Sequence, residues 1–237
     1  MVGDEVRIDR RFRGPPGSGN GGYVAGCVAA ALGGSGCVVT LRQPPPLDTV
    51  MRLERGDSGV ALLAGDELVA SATPTEIEVE VPTPPNMDTA VAAETRFTGF
   101  RHHHFPGCFV CGPEREAGDG LRIFPGAIDN VGSQVATVWR PDESLGDEAG
   151  LVRPEFIWAA LDCPGFFAVE ARSGPAVLGR MGVVQHGRVR VGEPVIVTGW
   201  PIASDGRKHH AGTALHDADG RLIAASVATW ISLQRES

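Results

Sequence analysis

Asp162 stands in an otherwise apolar run, Phe156-Ile157-Trp158-Ala159-Ala160-Leu161-Asp162-Cys163-Pro164. A carboxylate in such a run loses its water, which disfavours the charged form and makes it a candidate general base. The competing reading is local. Asp162 or Cys163 caps a helical turn that restarts at Pro164, because proline suits the first helical position. Glu155 is the rival acid, and it directly follows Pro154. Glutamates are common in a first turn simply because they complement the helix dipole.

The second chemical feature is a glycine-rich approach, Gly14-Pro15-Pro16-Gly17-Ser18-Gly19-Asn20-Gly21-Gly22, running into the apolar stretch Tyr23–Leu32. A helix that starts there exposes backbone N–H groups able to hold a phosphate, a carboxylate or a polarised carbonyl oxygen. The letters Gly17 to Gly22 match a dinucleotide fingerprint, but prolines sit where its strand should end. A P-loop needs Gly-Lys-Ser/Thr, and the first lysine of the chain is Lys208. The remaining readings are a helix start that receives a substrate carbonyl at Gly21 and Gly22, or a cap with no ligand.

Cys108-Phe109-Val110-Cys111-Gly112 has the spacing of a zinc knuckle, and His102, His103, His104 and Cys163 are further potential ligands. A zinc ribbon needs a second pair at defined spacing, which the chain lacks, so no metal and no cofactor are expected. His209 and His210 are accounted for by a solvated strand face. The five cysteines are odd in number, in a chain too long to need a disulfide scaffold, and reduced thiols are expected.

These groups must be positioned by elements that the hydrophobic pattern makes visible. The first helix carries Tyr23, Val24, Cys27, Val28, Ala31 and Leu32 at spacings of three and four, with alanine and glycine between them, so it should be buried all round. Short β-rich runs follow at 37–42, 50–55, 59–63 and 68–81. The second half repeats the order: a strand at 134–139, a helix from about Pro154, then strands at 183–191, 195–200, 209–216 and 222–233. Leu68–Ile77 laid over Leu222–Ile231 keeps leucine, alanine, threonine and isoleucine in place. Trp158 lies four residues before Asp162, on the same helix face, where its fluorescence should report a ligand.

With 237 residues the chain can bury a full core. Twenty-one basic against 29 acidic side chains give net charge −8, which argues against nucleic acid. No apolar run is long enough to span a bilayer, and Met1–Glu5 lack a signal segment, so a cytoplasmic protein without membrane partners is expected.

The Gly19-Asn20-Gly21-Gly22 helix start, the run Val39-Thr40-Leu41-Arg42-Gln43-Pro44-Pro45-Pro46-Leu47 and the doubled element order resemble the double hotdog proteins related to acyl-CoA thioesterases. The resemblance implies an α+β fold in which each half wraps a curved antiparallel sheet around one long helix and the halves pack as a pseudo-dimer. It places the hotdog units at 1–98 and 119–237, joined by a surface linker at 99–118 that carries the Cys-x-x-Cys turn. It also implies an acyl-CoA or other acyl thioester as partner and substrate, and allows a homodimer of double hotdogs. By the same resemblance Asp162 is the base on the central helix, Gly21 and Gly22 of the other half hold the thioester carbonyl, and Asn20 orients carbonyl or water. In the medium-chain bacterial relatives the acting Asp lies on a strand after the second helix, whereas Val177–His186 here contains no acid. A binding protein without turnover on the same fold is therefore an alternative. A third reading is a hydratase or dehydratase using His104, because His104-Phe105-Pro106-Gly107 copies the histidine motif of hotdog dehydratases. The glutamate-bearing helix that follows in those enzymes is replaced by the polar, turn-like 108–116.

Overall fold

The computed structural model describes residues 5–33, 36–129 and 134–234. The reading of an absent signal segment falls mostly on residues 1–4, outside the described residues. The strands are β1 (Glu5–Arg7), β2 (Gly36–Leu41), β3 (Val50–Gly56), β4 (Gly59–Ala64), β5 (Glu67–Pro74), β6 (Gly126–Ala127), β7 (Val135–Trp139), β8 (Ala176–Gln185), β9 (Val195–Asp205), β10 (Lys208–His216) and β11 (Leu222–Ser232). The α-helices are α1 (Gly21–Leu32), α2 (Met87–Glu94), α3 (Pro154–Ala160) and α4 (Cys163–Ser173). No described helix is long and apolar enough to cross a membrane.

The strands form one antiparallel sheet in the order β1-β3-β4-β5-β2-β8-β11-β10-β9-β7-β6. Outward from the central β2–β8 pair, one side reads β2-β5-β4-β3-β1 and the other β8-β11-β10-β9-β7. Each strand but the two-residue edge strand β6 thus has a counterpart in the other half, and β2 meets β8 antiparallel, with Val38 opposite Gly182, as a two-fold axis between them requires. The segments matched by letters, around Leu68 and Leu222, lie in the counterpart strands β5 and β11. Helix α1 lies against β2 to β5, and α4 against β9 to β11. Two similar α+β units packed as a pseudo-dimer, as expected, is the architecture.

The strand patterns show where water is. Met51 and Leu53 of β3 are buried while Val50, Arg52 and Glu54 are exposed, the alternation of a sheet with one wet face. In β9 the run Val195–Trp200 is buried without alternation, so both faces are covered. The outer cover comes from segments that the pattern did not predict. Helix α2 presses Ala90 and Ala93 onto Ile128, Ala136 and Ile196. Val79 and Val81 pack with Trp200, Ala214 and Ala225. The strand expected over 68–81 therefore ends at Pro74, and its remainder covers the sheet of the other half instead of extending its own.

The expected surface linker is corrected as well. Cys108, Phe109, Val110 and Cys111 are buried in the main core with Tyr23 and Phe156. Phe109 N–H donates to Arg13 C=O at 2.8 Å, and Leu121 N–H to Phe109 C=O at 2.8 Å, which ties the stretch between the halves. The expected strand at 183–191 begins earlier, at Ala176, because Gly179, Arg180 and Gly182 dilute the apolar signal of its first half.

The two central helices touch along a glycine face. A Cβ on Gly22 would lie 2.5 Å from Asp162 Cβ and 2.8 Å from Trp158 O, and one on Gly26 would lie 2.6 Å from Glu155 Cα. These glycines let the α1 and α3 backbones meet. Gly26→Ala should destabilise the protein by about 1–3 kcal/mol through overpacking. Gly17→Ala, where a Cβ meets nothing within 4 Å, should stay within about 0.5 kcal/mol. Urea unfolding monitored by circular dichroism compares them.

Candidate active site

The start of α1 has four N–H groups to satisfy. Val24 N–H donates to Asn20 C=O at 3.0 Å. Tyr23 N–H donates to Asn20 Oδ1 at 2.9 Å, the usual N-cap bond. That bond fixes the amide orientation and turns Nδ2 outward, where it donates to Asp162 Oδ2 at 2.8 Å. Gly22 N–H donates to the same Oδ2 at 3.0 Å. Gly21 N–H, at the first helical position, is left without an acceptor among the described residues.

Asp162 occupies the cap position of α4, yet its side chain makes no cap hydrogen bond. It reaches instead across the interface to α1, so the side chain of Asp162 does not serve as the cap. The preceding carbonyl, Leu161 O, accepts from Thr213 Oγ1 at 2.7 Å, and Thr213 shares a 2.7 Å hydrogen bond with Ser226. All three side chains are buried, so the turn carrying Asp162 is held from the sheet side as well. Asp162 Oδ1 is buried and has no partner. Burial pushes the Asp162 carboxyl up to about 7, against the downward pull of the Gly22 N–H; the nearby Cys108 adds to the rise and the Asn20 amide opposes it.

A cavity of about 660 Å³ borders these groups, with Asn20, Gly21, Asp162, Phe166, Leu178 and Trp230 on its walls. Its lining is mainly apolar, with few polar groups converging, as in small-molecule sites. Exposed Arg42 stands on the same lining, with no ion pair or side-chain hydrogen bond among the described residues. Trp158 is absent from the cavity wall and packs against Gly26, so Trp230 is the tryptophan placed to sense a ligand.

The structure thus brings together Asp162, Asn20, Gly21 and Gly22. It separates the roles of the two glycines: Gly22 N–H is taken by Asp162, and of the expected pair only Gly21 faces the cavity unpaired. Glu155 is outside the cavity lining and forms an ion pair with Arg153 at 3.3 Å. Strand β8 passes the cavity with Val177, Leu178 and Gly179 and brings no acid. His104 lines the cavity, and its Nε2 lies 3.9 Å from Glu170 Oε1 on α4. The other carboxylate oxygen of Glu170 accepts from Thr98 Oγ1 at 2.7 Å.

The thiols of Cys108, Cys111 and Cys163 meet beside Asp162, all within 4.8 Å of one another. The cysteines are free, and Asn20 Nδ2 lies 3.9 Å from Cys108 Sγ. The neighbouring Cys111 and Cys163 thiols, as hydrogen-bond donors, hold the Cys108 thiol well below its ordinary range. Burial raises those of Cys111 and Cys163. Sequence reasoning named Cys163 among several potential partners of the Cys108 and Cys111 pair without singling it out, and it missed Thr213, Ser226 and Glu170, because each is distant in sequence from what it touches.

No protein-family model matches the sequence, and a search of curated proteins finds no relative. Solved structures do resemble it. The tesB protein of Mycobacterium avium subs paratuberculosis superposes with TM-score 0.62 at 14% identity, over 99% of this chain and 95% of that one. A candidate thioesterase II from Thermobifida fusca gives TM-score 0.64 at 14% identity, over 99% and 96%. A hot dog fold protein of unknown function from Alicyclobacillus acidocaldarius gives 0.61 at 13%, over 97% and 92%. The fold is a double hotdog. At these identities the likeness concerns architecture, and the chemistry of this double hotdog has to be argued from its own residues.

Asn20→Ser should keep the helix cap but remove the amide bond to the buried carboxylate. We expect a loss of about 1–3 kcal/mol, the cost of stripping a partner from a buried charged group. Asn20→Ala should lose more, because the cap goes too. Chemical denaturation of both variants measures the difference.

Proposed function

We propose that this double hotdog hydrolyses an acyl thioester, with acyl-CoA as the substrate class. The observation that carries the reading is the division of labour at Asp162: Oδ2 is anchored by two donors, while Oδ1 is buried and unpaired beside an apolar cavity. The acyl chain occupies the cavity, and the thioester oxygen accepts from Gly21 N–H, where the helix dipole adds to the stabilisation of developing negative charge. Oδ1 takes a proton from water as the water oxygen bonds to the carbonyl carbon. The tetrahedral intermediate collapses, the carbon–sulfur bond breaks, and the proton passes to the departing thiolate, giving a carboxylic acid and a thiol. Arg42, a cation without an ion pair on the lining, suits the phosphates of the CoA carrier.

A second reading rests on His104, which lines the same cavity with Glu170 3.9 Å behind it and could add water to an unsaturated acyl thioester. Activity decides. On a panel of short, medium, long and aromatic acyl-CoAs, Asp162→Asn should lower kcat by about 10²–10⁴ and leave KM little changed. Arg42→Ala should raise KM for CoA esters and spare truncated thioesters that lack the phosphates. Hydration of 2-enoyl thioesters that survives Asp162→Asn and is lost in His104→Ala would favour the second reading. Binding of acyl-CoA, seen in Trp230 fluorescence, without turnover of any substrate would make the protein an acyl carrier or sensor.

A further inference from the structure

The spacing of the cysteines offers a single ligand pair, and on that basis no metal is expected. The fold adds a third sulfur. Cys163 opens α4, and its Sγ lies 3.8 Å from that of Cys108; all three sulfurs, with Cys111, fall within 4.8 Å of one another. Two thiolates bound to zinc at about 2.3 Å in a tetrahedron lie about 3.8 Å apart. The Cys108 and Cys163 sulfurs already stand at that separation.

The pair at 108–111 has the backbone of a ligand knuckle. Gly112 N–H donates to Cys108 C=O at 2.9 Å. A Cβ on Gly112 would lie 2.4 Å from Pro106 O and 2.5 Å from Cys108 O, so the turn closes this tightly only with glycine at that position.

His103 completes the surroundings without being a ligand. Phe105 N–H donates to His103 Nδ1 at 3.0 Å, which leaves the proton of the neutral ring on Nε2. That nitrogen lies 3.3 Å from Cys111 Sγ and donates to it, the kind of outer contact that orients a metal-bound thiolate. With three thiol ligands buried and all on the cavity lining, the fourth vertex is available to solvent from the cavity, the ligand count of an open zinc site.

We infer that Cys108, Cys111 and Cys163 bind a thiophilic divalent cation, zinc by their chemistry, with a fourth position open to the cavity. Each thiol that ligates gives its proton to solvent, so uptake releases protons. The soft, all-sulfur donor set selects zinc over magnesium, calcium or manganese.

The test uses the full-length wild-type chain, purified under reductant, dialysed against zinc or cobalt(II) and freed of excess metal. Elemental analysis should find about one zinc per chain. The cobalt form should show sulfur-to-cobalt charge-transfer bands of an intensity expected for three thiolates. A small thiol added to it should shift the visible bands by entering the open position. Cys111→Ser and Cys163→Ser should each lose the metal, and Cys37→Ser, outside the cluster, should keep it. Should the serine variants fail to fold, the thiolate count from the wild-type cobalt spectrum still decides. A folded wild type that retains no metal would overturn the inference, as would metal held equally well by Cys163→Ser. A Cys108–Cys163 disulfide formed under mild oxidation in metal-free protein that ignores added zinc would overturn it in favour of a redox role.

Discussion

Everything at the candidate site depends on one crossing: Asp162 Oδ2, from the C-terminal half, accepts from Asn20 Nδ2 and Gly22 N–H of the N-terminal half. Two charge-assisted bonds hold a carboxylate that burial alone would drive toward its neutral form. They can form only because α1 presents glycine to α3 at positions 22 and 26, where any Cβ would strike the opposing backbone. The glycine-rich start of α1 is therefore explained by helix approach. The N–H groups exposed by the same approach are divided between holding the carboxylate and facing the cavity.

The electrostatic arrangement is asymmetric within a single side chain. Oδ2 accepts from two donors, whereas Oδ1 is buried without a hydrogen-bond partner. A buried polar atom of this kind costs free energy unless something completes it. One residue away the backbone is satisfied, because Thr213 Oγ1 donates to Leu161 O and is itself hydrogen-bonded to Ser226. The unpaired oxygen in this turn, on a residue that lines an apolar cavity, is the ground for the base role proposed above.

Much of this was legible in the residues. The doubled element order predicts the pseudo-dimer, and most strands fall within a few residues of the apolar runs that announce them. Asp162 stands out because a charge interrupts an apolar run, and Gly21 because glycine precedes an apolar helix. What stayed hidden is what depends on distant parts of the chain meeting. Helix α2 is short and alanine-rich, so its apolar face carries little signal, and Val79 and Val81 read as a strand because alternation cannot tell pairing from covering. The buried Cys108–Cys111 turn looks polar by its neighbours and is covered only because α1 and α4 close over it. Gly22 differs from Gly21 in role by a hydrogen bond to a residue 140 positions away.

A tandem repeat with a two-fold axis would be expected to build this site twice, and here it is built once. Counted from the two helix starts, Gly21 and Pro154, the position of α1 that corresponds to Asp162 is Ala29. Ala29 has no carboxylate to offer. The counterpart of the glycine-rich helix start is Arg153-Pro154-Glu155, where Pro154 has no N–H to donate and Arg153 and Glu155 pair with each other. The two central helices are complementary parts, one with small residues and the unpaired Gly21 N–H at its start, the other with an acid at the break between α3 and α4. That break is itself needed. An uninterrupted helix would carry Asp162 onward along the helix surface, whereas the turn at Leu161-Asp162-Cys163 sends the carboxylate to α1 and the following sulfur to Cys108.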